Sequence, residues 1–67
     1  MPTVKEMFSA LESTQRDALM LAFNEQRDHI VILEDGTFIG CNLENIEDLQ
    51  VDQQSDNGWI SGRLKDA

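Results

Sequence analysis

His29-Ile30-Val31-Ile32-Leu33-Glu34-Asp35-Gly36-Thr37-Phe38-Ile39-Gly40-Cys41 is the stretch on which the fold turns. A β-branched run, an Asp-Gly pair and a second apolar run make a hairpin, because Asp-Gly supplies the positive-φ positions of a tight turn. Read as a two-residue type I′ loop, Asp35-Gly36 pairs Glu34 with Thr37, Ile32 with Ile39 and Ile30 with Cys41. That register places Val31, Leu33 and Phe38 on the opposite face. Gly40, between Ile39 and Cys41, marks a bulge, a bend or a close approach of backbone.

Upstream of the hairpin the period is helical. Val4, Met7, Phe8 and Leu11 recur at i, i+3, i+4 and i+7. Thr3 with Glu6 forms a capping-box pattern, with Pro2 and Met7 as its hydrophobic staple, and Thr14 with Asp17 repeats the pattern before Ala18-Leu19-Met20-Leu21-Ala22-Phe23. Two short helices meeting near Glu12 to Thr14, or one continuous helix, both satisfy this. Val4, Leu11 and Ala18 keep heptad phase across the join, whereas the paired caps favour two helices. Downstream, Leu43 and Ile46 anchor an irregular stretch, and Leu49 and Val51 alternate with Gln50 and Asp52. Asn57-Gly58 then turns the chain into Trp59-Ile60-Ser61-Gly62-Arg63-Leu64, setting Val51 against Leu64 and Asp52 against Arg63. The expectation is a single α+β domain over 1–67. Its helical part, 3–28, packs on an antiparallel β-meander of about four strands over 29–65.

Charge is segregated along this frame. Between Arg27 and Arg63 there is no lysine or arginine, yet Asp28, Glu34, Asp35, Glu44, Glu47, Asp48, Asp52 and Asp56 all fall there, against a net charge of −8. A field of one sign repels nucleic acid and draws basic surfaces. A domain of this length buries only about 60% of the surface its unfolded chain exposes. An apolar content of 40% still supports a packed core. Cys41 is the single cysteine, so no intrachain disulfide marks an oxidising compartment. The N-terminal stretch lacks the apolar core of a signal peptide, and the run from Ala18 to Phe23 is far shorter than a membrane span of about 20 residues. The expected setting is cytoplasmic.

The residues that carry chemistry are sparse. One His, one Cys and no Tyr leave catalysis to His29 and Cys41, which the register above sets on opposite faces, away from a nucleophile–base pairing. Two possible soft ligands fall short of the four that structural zinc takes. Asp52-Gln53-Gln54-Ser55-Asp56-Asn57-Gly58 is rich in oxygen, but neither loop frame places both the glycine and the terminal acid of a calcium site. The four glycines stand singly rather than as a phosphate loop. A helix–turn–helix reading of residues 3–28 lacks a basic second helix, because Gln15 to Asp28 holds two arginines against three acids. No enzyme, cofactor or metal is expected.

Val31-x-Leu33-x-Asp35-Gly36, followed by Gly40, Leu43 and Ile46-Glu47 after a helix, is similar to the first motif of Sm-like RNA-binding ring proteins over about residues 19–51. The second glycine comes one residue early, and Val51 stands where that family has its RNA-reading Asn. Ile60-Ser61-Gly62-Arg63 loosely echoes the second motif, with too little chain after it for a fifth strand. The resemblance implies a self-assembling ring subunit.

The charge pattern points elsewhere. Glu44, Glu47, Asp48, Asp52 and Asp56, with Trp59 as an aromatic anchor, form the expected partner-binding set for the basic surface of another protein. Carboxylates can stand where phosphates would, so a partner that handles nucleic acid would be blocked, as small phage-encoded antagonists do. The expectation is a non-enzymatic, acidic inhibitor or regulator, for which a homodimer or a higher oligomer is possible. A structural subunit is the alternative.

Overall fold

Both helices are set by their caps. The computed structural model describes residues 3–55 and 57–65, in the order α1 (Val4–Ala10), α2 (Ser13–Asn24), β1 (His29–Ile32), β2 (Thr37–Cys41), β3 (Leu49–Gln54) and β4 (Trp59–Leu64). Thr3 Oγ1 accepts the Glu6 N–H at 3.1 Å and opens α1, a cap worth about 1 kcal/mol. Pro2, the other half of the proposed staple, lies outside the described residues. Leu11 is extended at φ −70° and ψ 153° and ends the helix. The second cap lies two residues earlier than the Thr14–Asp17 pattern implies: Glu12 is the N-cap, and Gln15 Oε1 accepts its N–H at 3.2 Å. The break also shifts the apolar phase. Leu19 and Ala22 enter the core beside Met7 and Leu11, and Ala18, the heptad partner of Leu11, faces outward.

α2 ends in paired reverse hydrogen bonds, Arg27 N–H to Ala22 O at 2.8 Å and Gln26 N–H to Phe23 O at 3.1 Å. This is the Schellman arrangement, with Gln26 at φ 57° where glycine is the usual occupant.

The four strands are antiparallel but not in chain order: the sheet runs β1-β2-β4-β3. Both hairpin registers differ from those that two-residue turns imply. In the first, His29 pairs with Cys41, Ile30 with Gly40, Val31 with Ile39 and Ile32 with Phe38. The physical reason is the loop. Leu33 N–H bonds Thr37 O at 2.8 Å, Gly36 N–H bonds Leu33 O at 3.0 Å, and Gly36 takes φ 85°, so Glu34-Asp35-Gly36 forms a three-residue loop ending in a left-handed glycine. The second hairpin closes alike, with Ser55 N–H to Trp59 O at 2.8 Å and Gly58 at φ 100°. Val51 therefore faces Gly62, Leu49 faces Leu64 and Gln50 faces Arg63; a bulge between Val51 and Gln53 leaves Asp52 out of the ladder.

Slipping by one residue exchanges the faces of β1. Val31, Ile39 and Cys41 join Met7, Leu11, Leu19 and Ala22 in the core under the helices, with Leu33 packed against it. Ile30, Ile32 and Phe38 turn to the other side. There the segment 42–48 must carry the chain from β2, past β4, to β3. It crosses this second side, because Leu43 fills the space over Gly40 that a Cβ would need. Beneath it Phe38 is fully buried and Ile60 is 6% exposed, a small second core that neither described helix covers. Asn42 makes the corner at φ 56°, its N–H bonding Gly58 O at 3.1 Å.

Gly62 and Gln26 give opposite predictions. A Cβ on Gly62 would run into the Gln50 carbonyl beside the bulge, so Gly62→Ala is expected to lower the thermal midpoint by about 10 °C or more. Gln26→Gly relieves a left-handed side chain and is expected to raise stability by up to ~1 kcal/mol. Thermal melts followed by circular dichroism check both; a neutral Gly62→Ala would contradict the β3–β4 register.

Candidate functional site

The crossover gathers carboxylates on the helix-free side of the sheet. Asp28 Oδ2 accepts the Glu44 N–H at 2.9 Å, which ties the start of β1 to the crossover and brings two acidic residues together. Asn45 Oδ1 accepts the Glu47 N–H at 3.2 Å and turns the chain, and Ile46 O accepts the Leu49 N–H at 3.1 Å as β3 begins. Glu44, Glu47 and Asp48 are all exposed on this segment, and Asp52 is exposed at the bulge of the edge strand β3. Asp56 lies outside the described residues. Ile46 on the crossover and Ile32 on the same side of β1 are 44% and 51% exposed, so the acidic ridge has apolar ground beside it.

Separation of charge along the chain is only partly separation in space. β4 sets Arg63 between Thr37 of β2 and Gln50 of β3, and Lys65 donates its backbone N–H to Asp48 O at 3.1 Å. Two cations therefore reach the end of the sheet where Asp48 and the hairpin tip lie. At the opposite end Arg27 Nε contacts Glu25 Oε2 at 2.8 Å, an exposed pair of small energetic weight.

Trp59 stands apart from this ridge. It points to the helix side, stacked on Phe23 with ring centroids 4.6 Å apart and 10° between planes, and meeting Phe8 edge-on at 5.7 Å. Such pairs add about 0.5–1.5 kcal/mol each beyond burial, so the indole locks α1 and α2 to β4. An apolar groove of about 350 Å³ opens beside it between Val4, Phe8 and Met20. Trp59, the expected aromatic anchor, thus lies on the helix face, and Ile32 and Ile46 are the exposed large apolar side chains on the acidic side. The signal for Ile32 was a β-branched run with no charge inside it, whereas Ile46 stands alone among acids.

The placement of His29 and Cys41 corrects the expected register. They are a direct cross-strand pair on the helix side rather than residues of opposite faces. The pairing does not make a reactive thiol. Cys41 is fully buried, its Sγ lying 3.7 Å from Leu19 O and 3.9 Å from Arg27 O. Burial first, then the Asp28 charge, pushes the thiol pKa up, against a smaller lowering from the His29 backbone. Since the thiolate is the nucleophile, both causes suppress its chemistry.

No protein-family model matches the chain, and no curated protein or solved structure matches it. The described residues form four strands, not the five that the Sm-like resemblance implies. Among those residues no helix is long and apolar enough to cross a membrane.

The environment of Cys41 predicts its reactivity. At pH 8 it is expected to react with an aromatic disulfide reagent at least about tenfold more slowly than a small free thiol, and at the free-thiol rate once unfolded in denaturant. Equal rates in folded protein would contradict the buried placement.

Proposed function

We propose that this protein is a non-enzymatic binding module, acting in the cytoplasm as an inhibitor or regulator that blocks a basic, nucleic-acid-handling surface of another protein. The observation that carries the reading is the crossover, where Glu44 beside Asp28, and Glu47 and Asp48 further along, are exposed on the side of the sheet that neither described helix covers. Carboxylates held on a folded scaffold offer a basic groove the charge that phosphates would bring, without the flexibility of a disordered acidic tail. Exposed Ile32 and Ile46 add desolvation that charge alone lacks. Trp59 takes a structural part here, and Asp52 extends the acidic field along β3.

The test is capture with immobilised protein under a rising salt gradient, followed by competition of the captured partner with duplex and single-stranded DNA. The reading predicts a partner released both by salt and by nucleic acid. Glu47→Lys/Asp48→Lys/Asp52→Lys is expected to slow association by at least about tenfold at low salt while keeping the wild-type circular dichroism spectrum. Salt-insensitive binding, unchanged by the triple substitution, would contradict it.

A further inference from the structure

The two most exposed large apolar side chains described, Leu21 at 52% and Ile32 at 51%, flank one feature from opposite sides of the sheet: the open edge of β1. The hydrogen-bond alternation fixes what that edge offers. Leu33 N–H bonds Thr37 O, so Leu33, Val31 and His29 turn their backbone groups toward β2. The alternation is consistent across the sheet, because the Gly36 and Asn42 backbone groups turn the other way, to β4. Ile30 and Ile32 therefore present N–H and C=O groups outward.

The other edge, β3, is defended. It carries a bulge at Asp52, and Gln53 Oε1 accepts the Val4 N–H of α1 at 2.9 Å. β1 has no bulge, proline or charge within its four residues. On its helix side a groove of about 310 Å³ lies between Ala18, Leu21, Asp28 and His29.

We propose that the β1 edge is a strand-docking site, which takes an extended segment of a partner protein with two apolar residues at alternate positions and a basic residue at each end. This rests on the protein-binding reading above and deepens it. Antiparallel addition lets the segment exchange paired backbone hydrogen bonds with Ile30 and with Ile32, as edge-strand ligands do. Its apolar side chains continue the Ile30–Ile32 surface, and the residue opposite His29 turns toward the Leu21 groove. The residues that flank the edge are acidic at both ends, Asp28 just before β1 and Glu34 at the start of the turn, and they set the charge of the occupant's ends. They also decide against a second copy. Symmetric pairing about Val31 would bring Asp28 of one copy near Glu34 of the other at both ends, so the flanks that invite a basic strand repel self-association.

The probe is the synthetic peptide Lys-Thr-Val-Thr-Val-Leu-Lys with blocked termini, titrated into isotope-labelled protein, with amide shifts and hydrogen exchange followed residue by residue. Binding is expected to protect the Ile30 and Ile32 amides. Replacing both peptide lysines with glutamates is expected to weaken binding at least about tenfold. Ile32→Pro removes an outward donor and no sheet hydrogen bond, and should weaken binding by a similar factor with the β2–β4 amides still protected. Glu34→Lys, which leaves the edge groups in place, should weaken the lysine peptide and strengthen the glutamate one. Shifts confined to residues 44–52 would overturn edge docking yet leave the acidic-surface reading standing. No shift at all would overturn it, and so would a wild-type dimer whose Ile30 and Ile32 amides are already protected.

Discussion

One turn governs the molecule. Glu34-Asp35-Gly36 loops three residues rather than two between Leu33 and Thr37, and that single count decides which side of β1 meets the helices. The turn is chemically specified: Asp35 Oδ1 accepts the Thr37 N–H at 3.1 Å and the Thr37 hydroxyl at 2.6 Å, and Gly36 supplies the left-handed corner. These bonds, the hydroxyl's first, hold the Asp35 carboxyl below its usual range, with a small share from Arg63. A lowered carboxyl steadies the fold above its unfolded-state value, and that contribution fades as pH falls through the folded one. Had the loop held two residues, Ile30 and Ile32 would bond to β2, and Val31 and Leu33 would face the open edge.

From that register the rest follows by packing. Val31 and Ile39 complete the helix-side core, and Phe38 is left to be buried on the opposite side. Neither described helix lies there, and the crossover from β2 to β3 covers it, with Leu43 over Gly40. A covering segment of this kind is short, polar outside and apolar beneath, which puts Glu44, Glu47 and Asp48 at its surface. The acidic ridge is thus the outer face of a structural lid. The same strand order leaves β1 at one edge with Asp28 and Glu34 at its ends.

Much of this was legible in the sequence, and the failures share a cause. The helical period, the Thr3 cap and two Gly-closed hairpins gave the α+β architecture. Reading Asp-Gly and Asn-Gly as two-residue loops misplaced both registers, although Glu34-Asp35-Gly36 and the residues before Trp59 share an acid–Asx–Gly pattern that suits the longer turn. Strand order could not be read locally, because the choice between chain order and a crossover depends on burying Phe38 and Ile60. Trp59 went to the helices for the same reason: three aromatic rings bury more together than one does at a rim.

Amide hydrogen exchange of the free protein tests the central claim most directly, since a register of one residue inverts which amides of β1 are tied to β2. The account predicts slow exchange at Val31 and Leu33 and fast exchange at Ile30 and Ile32. Slow exchange at Ile30 and Ile32 with fast exchange at Val31 and Leu33 would contradict it, and with it the open edge and the placement of the acidic lid.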